Sequence, residues 1–299
     1  MANAAWPWAA AFSRRLHELR PQPFCGSHLL FGSDYSGGHA SSRYNVYGFV
    51  IADADASLDW PVECQKVRSG FLADGRRMGF KNLNDAHRRN ALIPFLSASE
   101  SLVGNVVTVA VTKELRHLSS YQNAIDVWRK TNSLQAKWNP GAFEQMARIA
   151  HFFSLLVAAW STPGANVSWI TDEDEIVANA ERLTDAQEFA ARLAGIFLPH
   201  NLGEFMMNTP AVVNNHSAFE DFLAIPDLAA GMIGEILTTT PVYEPGAQNV
   251  FRYAQLTEKS EIISDWFWHH LGTLKKTCIL IERAENGKYG VGRLDMQLR

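Results

Sequence analysis

The segment Asn105–Thr112, NVVTVAVT, is β-branched and almost unbroken in apolarity. Such a run fits a central strand covered on both faces rather than an exposed one. Tyr44–Ile51 makes the same demand. Tyr44, Val46 and Val50 fall on one face, Tyr47, Phe49 and Ile51 on the other, and both sets are apolar. A sheet built on these strands needs a layer on each side, and strand–helix alternation through the middle of the chain supplies helices for it. With 299 residues, 47% hydrophobic and 19% charged, the chain can bury a core of that size.

The expected fold class is therefore α/β, a mixed central sheet flanked by helices, with a C-terminal helix and β-hairpin packed on it. Leu29–Phe31 reads as a short buried strand that delivers Asp34, followed by a Gly- and Ser-rich loop, SGGHASS. Trp60–Ser69 is a third strand candidate, and residues 85–98 look helical. A long helical region spans Ser119–Trp160, broken near Asn139-Pro140-Gly141. Val167–Thr171 is a strand ending at Asp172, and Thr184-x-x-Gln187 fits a capping box opening a helix to Phe197. Residues 202–207 suggest an edge strand and 217–238 one or two helices. Lys259–Leu271 reads as a helix, and a hairpin is expected around Asn286-Gly287. Three parts follow: an N-terminal docking segment, 1–27; a core, 28–240; and an accessory helix and hairpin, 241–299, beyond the Pro241–Gly246 break.

The net charge of −4 argues against a uniformly basic nucleic-acid coat but leaves room for a local basic channel. Cys25, Cys64 and Cys278 form no CxxC pair and cannot all pair within one chain, so a reduced, cytoplasmic interior is the economical reading. The opening MANAAWPWAAAFSRRLHEL places apolar residues before basic ones, opposite to a secretory signal, and reads as a docking helix. No uninterrupted apolar run reaches the ~20 residues that span a bilayer, so no membrane partner is expected. The acceptor-like Asn166-Val167-Ser168 carries little weight without a route to secretion.

Three acids stand out. Asp34 ends the first strand, Asp172 ends a later one within TDEDE, and Asp227 lies in IPDLAAG near an expected helix start. Hydrolysing a phosphodiester with Mg²⁺ needs hard oxygen ligands converging from rigid elements. Clustered carboxylates need a cation in turn, because each opposes the ionisation of the others. Taken singly, Asp172, Asp174 or Asp227 could equally cap a helix, and the Asp172–Glu175 run alone reads as a solvated helix start.

Together these pieces resemble the DUF3800 family, which is similar to ribonuclease H in fold. That family opens with a strand followed by Asp-Glu-Ser-Gly or a close variant; here the region reads LLFGSDYSGG, with Tyr35 at the Glu position. YNVYGFVI resembles its next strand, VVTVAVTK its central strand ending near Lys113, and VSWITDED its later strand-end acid. Its Ala-Asp-Leu-x-Ala-Gly helix is matched by Pro226-Asp227-Leu228-Ala229-Ala230-Gly231. The similarity runs over about residues 28–270. It implies a metal-dependent nuclease acting on RNA or DNA, with Asp34, Asp172 and Asp227 as ligands of Mg²⁺ or Mn²⁺ and Lys113 near them. Tyr35 removes one potential acid, for which Glu173 or Glu175 could compensate.

Lys66, Arg68, Arg76, Arg77, Lys81, Arg88 and Arg89 are opposed locally only by Asp74 and Asp85. They could contact phosphates beside the acids or simply form a solvated face. Tyr44, Tyr47 and Phe80 are candidate base stackers, with core packing the favoured alternative. The AWPWAAAF and DWFWHHLG segments, if exposed, would suit a protein partner. His269-His270 and the other histidines lack zinc-protease spacing, and Ser36 and Ser217 lack a nucleophile-elbow context. Two alternatives stay open. One is a noncatalytic ribonuclease-H-like module binding nucleic acid or protein. The other is an actin-like ATP-using protein, for which a second Gly-rich phosphate loop is missing.

Overall fold

The computed structural model describes residues 6, 8–19, 23–38, 41–117, 124–131, 134–172, 176–210, 216–239, 256–269, 272–283 and 289–294. Seven strands form one mixed sheet: β1 (His28–Ser36), β2 (Tyr44–Asp53), β3 (Gly104–Thr112), β4 (Asn166–Thr171), β5 (Phe205–Asn208), β6 (Leu274–Arg283) and β7 (Tyr289–Leu294). Their spatial order is β5-β4-β1-β2-β3-β6-β7. β2 is antiparallel to β1 and β3, whereas β4 runs parallel to β1, β5 to β4 and β6 to β3. The C-terminal hairpin extends the sheet edge through β6 instead of lying on a face. The Pro241–Gly246 break and the Asn286-Gly287 turn lie outside the described residues.

Eight described helices cover the two faces: α1 (Ala9–Glu18), α2 (Asp59–Phe71), α3 (Ala86–Ser99), α4 (Ala124–Thr131), α5 (Pro140–Trp160), α6 (Ala180–Phe197), α7 (His216–Thr239) and α8 (Glu258–Trp268). The α5 face carries α1 and α6 and buries Phe31, Phe49, Val107, Val109 and Ile279. The α7 face carries α2, α3 and α8 and buries Val46, Val50, Val106, Ala110 and Leu280. β2 and β3 thus have both faces covered, as their doubly apolar sequences require.

The structure corrects several expectations. Trp60–Ser69 is helical: its buried residues Trp60, Cys64, Val67 and Arg68 recur at i, i+4, i+7 and i+8, and Pro61 sits in the first turn, where its missing N–H costs nothing. α6 begins four residues before Thr184, because the Asn179 side chain accepts from the Arg182 N–H. Residues 216–239 form one helix through Pro226, which places Asp227 in its middle rather than near its start. By length and composition Ser217–Thr239 could cross a membrane, yet 78% of its most apolar window is buried within the fold. Trp6, Trp8, Phe12, Trp266 and Phe267 are buried, so these aromatics form packing surfaces rather than an exposed patch.

Candidate functional site

The register at the C-terminal ends of β1 and β4 sets the site. Ser33 pairs with Thr171, so the next residues along these parallel strands, Asp34 and Asp172, lie side by side. Asp34 shares its face of β1 with Gly32, and across the strand it faces Gly48 of β2. Both glycines are demanded by α7. A Cβ on Gly32 would meet the Phe222 ring, and one on Gly48 would collide with the Pro226 carbonyl oxygen. α7 therefore lies on the sheet at the level of Asp34 and presents Asp227, the residue after Pro226, on the same side.

The motif around Asp227 has a local logic too. Asp227 Oδ2 accepts the Phe80 N–H at 2.6 Å, at the start of a 3₁₀ turn, Phe80–Asn82. Gly231, one helical turn on, leaves the space that the Phe80 ring fills. Lys259 Nζ donates to the Phe80 carbonyl at 3.1 Å and lies 4.1 Å from the centre of its ring. The Asp-x-x-x-Gly spacing thus docks the Arg77–Lys81 segment beside the acids. Arg77 Nη1 donates to Asp172 Oδ1 at 3.0 Å, and the Arg77 carbonyl is held by Arg88 Nε at 2.6 Å.

The charges of this group are coupled. Burial, then the charges of Asp227 and Asp172, hold the Asp34 carboxyl well above the usual carboxylate range, against the Tyr35 N–H that it accepts and the charge of Arg77. Burial also raises Asp227, with Asp172 adding to it, while the Phe80 N–H, Arg77 and Lys81 oppose. Burial acts against the Arg77 charge, but the hydrogen bond and charge of Asp172, with Asp34 beyond, leave its pKa raised.

A cavity of about 550 Å³ opens over this end of the sheet, lined by Asp34, Tyr35, Tyr47, Lys81, Arg116, Arg148 and Asp172, among others. Arg148 is buried. Its Nε donates to Glu144 Oε1 at 2.9 Å, and its Nη2 reaches the Arg116 carbonyl at 2.6 Å, which fixes the segment carrying Arg116. Sequence reasoning missed Arg116 and Arg148, although the Glu144/Arg148 pair at i, i+4 inside an apolar helix is a readable sign of an interior charge pair. Lys113 is not brought to the acids. Thr108 is the β3 residue level with Asp34, and Lys113 lies five positions further on, roughly 16 Å along the strand. Lys81 is the lysine that reaches this site.

Tyr35 points to the opposite face of β1 from Asp34. Its hydroxyl is 2.8 Å from Ser33 Oγ and 3.4 Å from Thr171 Oγ1, and its ring meets Tyr47 edge-on at 5.8 Å. The Tyr35 hydroxyl thus belongs to a packed cluster with Ser33 and Thr171. The basic run is largely engaged internally. Arg68 is buried against Asp221, Arg76 pairs with Asp74 and Asp85, and Arg89 bonds the carbonyls of Leu83 and Asn84, leaving Arg77 and Lys81 at the site. Tyr44 and Tyr47 are buried and cannot stack on a base, while Phe80 is engaged by Gly231 and Lys259. Glu173, Asp174, Glu175 and His270 lie outside the described residues. Among the described residues, no group of three or more His, Cys, Asp or Glu side chains is set closely enough to hold a metal ion.

No protein-family model and no curated protein matches the chain.

Proposed function

We propose that the chain is a ribonuclease-H-like phosphodiesterase that uses a divalent metal to cleave RNA or DNA. One observation carries this reading: α7 packs on β1 and β2 so tightly that Asp227 lies near enough for its charge to act on Asp34, with Asp172 at the end of the neighbouring parallel strand. A mixed sheet in which β1 lies between antiparallel β2 and parallel β4 is consistent with that architecture. All three side chains are hard oxygen donors of the kind Mg²⁺ or Mn²⁺ takes and a cation would relieve their mutual repulsion, but it would have to draw them closer together than they stand. Arg77 now serves as counter-ion to Asp172, so a metal has to share that carboxylate with it or displace it.

When bound, the ion supplies activation of water and neutralisation of charge on the phosphate. The remaining work falls to the protein's own groups. Lys81 and Arg116 line the cavity where nonreacting phosphate oxygens would sit, and Arg148 braces the Arg116 segment from below. Water adds to phosphorus, the bond to the 3′ oxygen breaks, and that oxygen leaves with a proton, giving 5′-phosphate and 3′-hydroxyl ends. A cleavage panel of single strands, duplexes and RNA–DNA hybrids with Mg²⁺ or Mn²⁺ tests the reading. Cleavage with those ends supports it, and inertness towards every substrate with either metal contradicts it.

The Arg77–Asp172 ion pair and the packed Tyr35 favour a second reading, a noncatalytic module that binds nucleic acid through the same cavity. It requires binding that survives both chelation and Asp34→Ala.

A further inference from the structure

A second cavity, of about 600 Å³, lies at the other end of the sheet, where β3 and β6 begin. The strand sequences change character there. On the α5 face, β3 reads Val107, Val109, Val111 towards its end but begins with Asn105. β6 reads Ile279, Ile281 but begins with Lys275 and Thr277. The polar starts of both strands form the cavity floor. Its walls are apolar and are supplied mainly by Leu19, Phe24 and Trp160.

These walls are built rather than incidental. The Phe24 N–H donates to the Trp160 carbonyl at 3.0 Å. The Gly26 and Ala56 N–H groups donate to the two carboxylate oxygens of Asp53 at 2.8 and 3.0 Å, which engages the acid lining the cavity. On the floor, the Thr277 hydroxyl is buried with no hydrogen-bond partner among the described residues, and the residue is 7% exposed. Beside it, Lys275 and Arg293 bring positive charge to the cavity.

We propose that this cavity binds an anionic amphiphile, a monocarboxylate carrying an apolar chain. Its head group would accept from Lys275, beside Arg293, and its chain would lie against Phe24 and Trp160. Few polar groups at one end of an apolar pocket are what orients such a ligand. The site lies away from the Asp34 cavity and is independent of the nuclease reading.

Cys25 lines the same cavity and is the exposed thiol of the three, whereas Cys64 and Cys278 are buried. The test uses the full chain and decanoate below its micelle-forming concentration, with calorimetry and the rate of Cys25 alkylation as readouts. Decanoate is expected to bind at a single site and to slow alkylation, while decanol and acetate do neither. Lys275→Glu, at an exposed position, should keep the fold by circular dichroism and weaken decanoate about tenfold or more. Absence of decanoate binding, equal protection by decanol, or unchanged affinity in folded Lys275→Glu overturns the proposal.

Discussion

The Pro226 carbonyl of α7 lies over Gly48 of β2 so closely that a methyl group on Gly48 would collide with it. This contact sets the height of α7 above the sheet, and with it the position of Asp227 relative to Asp34. Gly48→Ala is therefore expected to destabilise the protein by about 1–3 kcal/mol, because backbone cannot move aside as a flexible side chain would. Gly195→Ala is the control. It sits in α6 with open space around it and should gain about 0.5–1 kcal/mol. Urea unfolding of both variants checks this, and a neutral Gly48→Ala would contradict the packing account.

Arg68 is a structural residue, not a phosphate contact. Its Nε and Nη2 donate to the two oxygens of Asp221 at 2.7 and 2.9 Å, and Nη2 also donates to the Ser217 carbonyl. Arg68→Met leaves the Asp221 carboxylate buried without its partner and should cost about 3–5 kcal/mol in chemical unfolding. Adding Asp221→Leu should restore much of that loss. A double variant as unstable as the single one would mean that the pair itself carries the stability.

The strands of the sheet were legible because β-branched runs and doubly apolar faces have few other uses, and the positions of Asp34 and Asp172 because each lies at the end of such a strand. What escaped the sequence was non-local. α2 was misread because Val62, Val67 and the aromatic Trp60 suggest a strand, while the stripe of Trp60, Cys64 and Val67 has helical spacing. That β6 continues the sheet beside β3 depends on pairing across more than 160 residues, which no local pattern records. The basic run was legible as charge but not as site. Only distant partners such as Asp221 and Asp172 decide that Arg68 is buried and that Arg77 joins the acids. The Asp227-to-Gly231 spacing is visible in the sequence, but its local reason, room for Phe80 beside a carboxylate that accepts from its N–H, depends on the fold.

His151 gives the protein an acid-sensitive core. Its Nδ1 donates to the Ala147 carbonyl at 2.6 Å, and the rings of Trp6, Trp8, Trp128 and Phe197 surround it. Burial lowers its pKa from 6.5 to about 3, so the folded state keeps it neutral. The unfolded chain takes up the proton first, so this contribution is complete above about pH 6.5 and is lost as pH falls towards 3. At about 1.4 kcal/mol per unit, the loss amounts to roughly 4–5 kcal/mol. Stability measured against pH should fall less steeply over that window in His151→Phe, and an unchanged slope would contradict the assignment.

Asp34 acts with the opposite sign. Burial and the charges of Asp227 and Asp172 raise its pKa, so the folded state holds a proton that the unfolded chain releases, and stability falls as pH rises above the usual carboxylate range. Asp34→Asn should therefore melt higher than wild type at neutral pH in chelator-treated buffer, with the gap closing as the solution is acidified. Saturating Mg²⁺ should stabilise wild type and leave Asp34→Asn unaffected. A lower melting temperature for metal-free Asp34→Asn would show that the carboxylate is satisfied as it stands.

The central claim is that Asp34, Asp172 and Asp227 together hold the metal that drives phosphodiester cleavage. The direct measurement is single-turnover cleavage across a Mg²⁺ or Mn²⁺ titration, for wild type and for Asp34→Asn, Asp172→Asn and Asp227→Asn, with folding verified for each. Wild type should cleave only with metal. Each Asn variant should remain folded and lose about 100-fold or more in rate at saturating metal, the scale expected when a ligand to the reacting centre is removed. Wild-type rates in all three folded variants, or undiminished wild-type cleavage after rigorous metal removal, would contradict the account.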